Sequence, residues 1–103
     1  MIEGMLIVES TSESADGADA YRKWYRETHV VEVLTIDGFA SARLYAALDG
    51  ESLLAVFELD TDPATARANL RAAQTSGALS RPVGMQLDPP PSVRYLSLSP
   101  ATT

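Results

Sequence analysis

Short apolar, β-rich runs along this chain alternate with segments whose apolar residues recur at three- and four-residue steps. The run from Gly4 to Ser10 predicts a first strand. A polar, turn-forming stretch (Thr11–Gly17) leads into a helix with Asp16 as N-cap and Asp19 in the first turn, where a carboxylate meets the positive end of the helix dipole. Tyr21, Trp24, Tyr25 and Thr28 fall on one side of that helix, which is expected to end near His29. The β-branched Val30, Val31 and Val33 lower helix propensity and point to an irregular connector, followed by a turn at Asp37-Gly38. Phe39–Leu48 and Ser52–Asp60 predict two strands joined by a tight hairpin at Asp49–Glu51.

A second helix starts with Asp62 as N-cap and Pro63 at its first position, and stops at Gly77. Ala66, Leu70 and Ala73 form its inner stripe, and Arg67, Arg71 and Gln74 are expected to face solvent. The long connector from Ala78 to Ser92 contains Pro82 and a Pro89-Pro90-Pro91 run, which neither a helix nor a central strand accommodates. Ser92–Pro100 is the last strand. The order β-α-β-β-α-β predicts an α+β fold of ferredoxin-like type, one domain over residues 1–103, with a four-stranded antiparallel sheet and both helices on one face.

That sheet is apolar on both sides. Leu53, Ala55, Phe57 and Leu59 oppose Leu54 and Val56; Met5 and Ile7 oppose Leu6 and Val8; Leu96 and Leu98 oppose Val93 and Tyr95. Helices on one face leave the other bare. Covering about eight such side chains is worth on the order of 10 kcal/mol, comparable to the whole stability of a small domain. The expectation is a homodimer whose sheets pack face to face around a small-molecule cavity.

Composition narrows the partners. With 8 basic and 14 acidic residues the formal net charge is −6, which repels phosphate backbones and anionic membrane surfaces, so neither nucleic acid nor membrane is an expected partner. The absence of cysteine excludes disulfides and thiol catalysis, and a single histidine makes a transition-metal site improbable. No Gly-rich phosphate loop announces a flavin, and one histidine is weak ground for haem, so no cofactor is expected. The N-terminal stretch lacks the form of a signal peptide and no segment is long enough to span a bilayer, so the expected location is cytoplasmic.

The segment "WYRETHVVEVLTIDGFASARLY" resembles the signature of the EthD-like group within the dimeric α+β barrel superfamily: Trp24, Tyr25 and His29, then Gly38-Phe39, then Arg43 in the next strand. Element order and length extend the resemblance over nearly the whole chain. The group often carries a proline after the histidine, where this chain reads Val30-Val31-Glu32. The resemblance implies a homodimer with a cleft between helices and sheet, or between the sheets. It also implies chemistry on small molecules, since relatives include isomerases, polyketide cyclases, dehydratases, cofactor-free monooxygenases and haem-degrading enzymes.

The leading expectation is therefore a cofactor-independent enzyme, of isomerase, cyclase or dehydratase type, acting on a small apolar, aromatic or polyketide-like substrate. His29 is the candidate acid/base because imidazole titrates near neutral pH. Tyr25 would assist it, and Arg43 and Tyr45 would orient polar groups with Ser41 beside them on strand two. Trp24 and Tyr95 are candidates for lining the cavity. Each has a plainer alternative: a helix-end histidine caps carbonyls, Trp24 and the tyrosines fill core, and Arg43 makes a surface ion pair. The competing functional classes are a non-catalytic ligand-binding or structural dimer, and a cofactor-free monooxygenase of the same fold.

Overall fold

A computed structural model describes residues 1–50 and 52–100. Its strands are β1 (Gly4–Thr11), β2 (Phe39–Ala46), β3 (Ser52–Leu59) and β4 (Ser92–Ser97). They form one antiparallel sheet in the order β2-β3-β1-β4. Between β1 and β2 runs one helical stretch: α1 (Ala18–Trp24), a π-helical turn over Tyr25–His29, and α2 (Val30–Val33). A second helix, α3 (Pro63–Ser76), lies between β3 and β4. This is the ferredoxin-like α+β arrangement expected from the sequence. Among the described residues no helix is long and apolar enough to cross a membrane.

Register sorts every strand residue onto one of two faces. Leu6, Phe57 and Tyr95 form one cross-strand row, and Val8, Ala55 and Val93 the next. With Phe39, Leu53 and Leu59 these face the helices, where Tyr21, Trp24, Tyr25, Val33 and Ala66 complete the buried core. Ser10 is the buried polar exception, and its hydroxyl hydrogen-bonds that of Tyr21, so the one hydroxyl satisfies the other. The opposite face carries Met5, Ile7, Leu54, Val56 and Leu96, all half-buried, plus an exposed Tyr45. The two-sided apolar sheet read from the strands is therefore present.

The ends of α3 follow their sequence signals. The Asp62 carboxylate accepts from the backbone N–H groups of Ala64 (3.1 Å) and Thr65 (3.3 Å). Pro63 starts the helix, and Gly77 ends it in the left-handed conformation at φ 80°. The first helix departs from expectation at both ends. Its N-cap is Gly17 rather than Asp16, with the Gly17 N–H donating to Ser14 Oγ at 3.1 Å. It does not stop at His29 but runs on through Val33, because Val33 is buried against the core and packing overrides the weak propensity of β-branched residues. The hairpin turn closes with Gly50 N–H donating to the Ala47 carbonyl (2.9 Å); Glu51, part of the expected turn, lies outside the described residues.

The proline-bearing connector between α3 and β4 returns across the helix layer. Met85 bridges to Ser12, Glu13 N–H donates to the Gly84 carbonyl (2.7 Å) and Gln86 N–H to the Thr11 carbonyl (2.9 Å). Gly84 is required there: its φ is 72°, and a Cβ would come within 3.2 Å of Tyr21 Cβ. Further along, the Glu32 carboxylate of α2 accepts from Ser80 Oγ (2.7 Å) and from Ser80 N–H (3.0 Å), tying the start of the connector to the first helix.

Candidate functional site

Helix layer, sheet and connector border a half-open cavity of about 730 Å³ within the single chain. Leu6, Val8, Phe57, Val93 and Tyr95 of the sheet form its floor. One wall is Trp24, Tyr25, His29 and Val33; another is the Arg67, Leu70, Arg71 and Gln74 face of α3; the connector from Leu79 to Pro91 supplies the rest. A volume of this order suits a drug-sized or small polycyclic ligand. The hollow expected between the sheets of two subunits thus already exists between helices and sheet of one.

The π turn builds the wall that carries the histidine. Five residues span about 1.4 turns of an α-helix, which would set Trp24 and His29 roughly 140° apart. The wider turn, closing i to i+5, brings them back onto one side. Their rings stack at 4.9 Å with 24° between planes. Tyr25 meets the same imidazole edge-on at 4.9 Å and 73°, and Trp24 at 5.7 Å and 84°. His29 is accordingly a mid-helix residue held between two aromatic rings. The capping role open to a helix-end histidine does not apply.

Three polar atoms of this cluster are buried without a hydrogen-bond partner among the described residues: Trp24 Nε1, the Tyr25 hydroxyl and His29 Nδ1. An unsatisfied buried polar group costs about 1–3 kcal/mol; the residues that carry these three atoms line the cavity, while the atoms themselves are shielded from solvent. Burial holds the His29 imidazole below its ordinary 6.5, with the Glu32 charge pulling partly the other way. The ring is therefore neutral at pH 7 and able to accept a proton. Burial, chiefly, and then the neighbouring Tyr21 push the Tyr25 phenol well above its usual 10.0, which keeps it a hydrogen-bond donor. Burial also raises Tyr95, opposed by the charges of Arg67 and Arg71.

The remaining candidates from the sequence are elsewhere. Arg43 pairs in register with Val56, Tyr45 with Leu54 and Ser41 with Glu58, all on the sheet face away from the helices. Ser41 Oγ donates to Glu58 Oε1 at 2.7 Å, and Arg43 and Tyr45 are exposed. Within one chain Arg43, Tyr45 and Ser41 therefore do not join His29, Tyr25, Trp24 and Tyr95. A bulge at Ala40, between the Phe39–Leu59 and Ser41–Glu58 pairs, sets which β2 residues face away. Arg67, Arg71 and Gln74, expected to face solvent only, instead line the cavity rim together with Arg81. Their spacing gave one available signal: 67, 70, 71 and 74 share a helix face adjoining the Ala66–Leu70–Ala73 stripe. No group of three or more candidate metal-ligating side chains occurs among the described residues.

No protein-family model matches the chain, and no curated protein sequence matches it. Two solved structures are similar. One is the monooxygenase from the gene ActVA-Orf6 of Streptomyces coelicolor, determined in complex with the ligand nanaomycin D; it shares 19% identity over 99% of this chain and 92% of its own, with a TM-score of 0.62. The other is Rv0793 from Mycobacterium tuberculosis, also 19% identical, over 97% of each chain, with a TM-score of 0.59. At that identity the likeness shows the fold alone: this chain has the ferredoxin-like α+β fold of both structures.

Proposed function

We propose that this chain is a cofactor-independent small-molecule enzyme of EthD-like type, acting on an aromatic or polyketide-like substrate bound between helix layer and sheet. One observation carries the reading: the π turn gathers Trp24, Tyr25 and His29 along one wall of the cavity, each with a buried polar atom that has no hydrogen-bond partner among the described residues. A neutral imidazole beside a phenol that stays protonated is a base next to a donor. His29 takes a proton from an acidic carbon or hydroxyl of the substrate, and Tyr25 donates a hydrogen bond to the oxygen on which charge develops. Trp24 offers its indole N–H and a ring face for the substrate's body. Tyr95 lies across the sheet floor. Arg43, Tyr45 and Ser41 take no part within one chain. They lie on the open face, where a second copy would pack and form the homodimer.

Proton removal of this kind opens an isomerisation, a cyclisation or a dehydration. It also opens cofactor-free oxygenation, in which the resulting carbanion reacts with dioxygen. That second reading is favoured by the neighbour described as a monooxygenase in complex with nanaomycin D. Titration of a panel of phenolic and quinonoid aromatics, followed by Trp24 fluorescence (the chain has one tryptophan), tests the binding step. Tyr25→Phe and His29→Gln should each weaken binding or turnover about tenfold or more while the fold persists. Oxygen uptake with the ligands that bind separates oxygenation from proton-transfer chemistry. A chain that binds none of the panel contradicts the proposal.

A further inference from the structure

The cavity carries a charge asymmetry that its interior chemistry does not use. The chain has 14 acidic and 8 basic residues, yet the cavity lining includes Arg67, Arg71 and Arg81 and no aspartate or glutamate. All three arginines are exposed, whereas Leu6, Trp24 and Tyr25 inside are buried. The site therefore grades from an apolar, aromatic interior to a cationic rim.

Among the described residues none of the three guanidinium groups has an ion-pair partner; the one ion pair there joins Arg22 to Asp19 (3.8 Å) on the other helix. The Glu32 carboxylate, hydrogen-bonded by Ser80 of the connector, is not among the residues that line the cavity. Arg67 and Arg71 stand one helical turn apart, a like-charge spacing that weakens a helix, and neither has an ion-pair partner among the described residues. Both line the cavity together with Tyr95, whose phenol their charges draw down against the upward push of burial. In a chain of net charge −6 an uncompensated cationic rim on one cavity calls for an anion. The planar guanidinium fork fits the paired oxygens of a carboxylate or phosphate.

We propose that Arg67, Arg71 and Arg81 form an oxyanion seat at the cavity rim, and that the natural ligand is an aromatic body bearing a carboxylate or phosphate. The ring lies inward against Trp24 and Tyr25, and the anionic group stays at the rim. This rests on the cavity being the ligand site. It adds a polarity to that site: the substituted end of the ligand faces α3 and the connector, and the reacting end faces His29.

Isothermal titration of the full chain with three matched probes tests it: 2-naphthylmethanol, 2-naphthoate and 2-naphthyl phosphate. The alcohol should bind, and at least one oxyanion should bind about tenfold tighter or more, with a preference that shrinks as salt is raised. The order of the two oxyanions shows which group the seat prefers. An Arg67→Gln/Arg71→Gln double variant should erase the preference, read as the ratio of oxyanion to alcohol affinity, while the corresponding Lys pair should retain part of it. If the alcohol binds and neither oxyanion binds tighter, or the Gln pair keeps the preference, the seat is refuted while the cavity stands as a ligand site. If no probe binds, cavity and seat fall together. Should the Gln pair not fold, the salt dependence of the unaltered chain decides: no dependence refutes the seat.

Discussion

His29 owes its properties to its immediate neighbours. The stacked Trp24 ring and the edge-on Tyr25 ring displace water from the imidazole, and burial then disfavours its charged form. The direction of that shift has a consequence for stability. In the unfolded chain the imidazole takes its proton near the ordinary 6.5, whereas in the native protein it does so at lower pH. Between those two values the unfolded state binds more protons, so native stability falls as pH drops through 6.5 and levels off once the native ring is also protonated. Glu32 shifts the other way, held below its ordinary 4.5 first by its hydrogen bonds to Ser80, so its contribution is constant above 4.5 and is lost only at lower pH. Urea midpoints measured from about pH 7 to about pH 5 should decline for the natural chain and decline less for His29→Gln. Equal slopes would mean that the imidazole is not held neutral by its surroundings.

At the scale of elements, what the sequence disclosed and what it hid divide along a physical line. Signals that act within a few residues were legible. Asp62, Pro63 and Gly77 mark the two ends of α3 because capping and left-handed backbone are local requirements. Asp62→Ala should cost about 1 kcal/mol, read as a shift in the denaturation midpoint with an unchanged slope; no shift would mean that the cap carries no stability. The π turn was not legible. Tyr21, Trp24 and Tyr25 fit the α-helical template and are buried as expected, but the Trp24–His29 stack needs an i to i+5 return that the template does not contain. Arg67 and Arg71 read as a solvated face because the cavity they line is completed by the proline-rich connector, a non-local event that α3's own residues do not encode. Arg43 lies apart from His29 within one chain for a related reason. Its spacing puts it beside Tyr45 and Ser41, but only strand pairing and the Ala40 bulge decide which sheet face that is.

For the molecule as a whole, the two faces of the sheet have different tasks. The helix-facing side builds core and cavity. The other side keeps Met5, Ile7, Leu54, Val56 and Leu96 half-buried in one contiguous patch, with Arg43 and Arg94 flanking the Val56–Ile7 row. A patch of that kind on a small domain is a surface for association, and a two-fold dimer through it leaves the cavity of each chain intact. Light scattering at micromolar concentration should give twice the chain mass, and Val56→Asp at the centre of the patch should give the chain mass with the helical signal retained. A natural chain that runs as a monomer would remove the dimer from the account and leave the cavity described above, between helices and sheet of one chain, in place.

The central claim is that the ligand site lies between helix layer and sheet, walled by the Trp24–Tyr25–His29 cluster. A crystal structure of the chain grown with a phenolic aromatic ligand tests it most directly. The account predicts the ring inside the 730 Å³ cavity, with a ligand oxygen or an ordered water within hydrogen-bond distance of the Tyr25 hydroxyl and His29 Nδ1. A ligand seated instead on the open face beside Arg43 and Tyr45, or a cavity closed by inward movement of the connector, would contradict it.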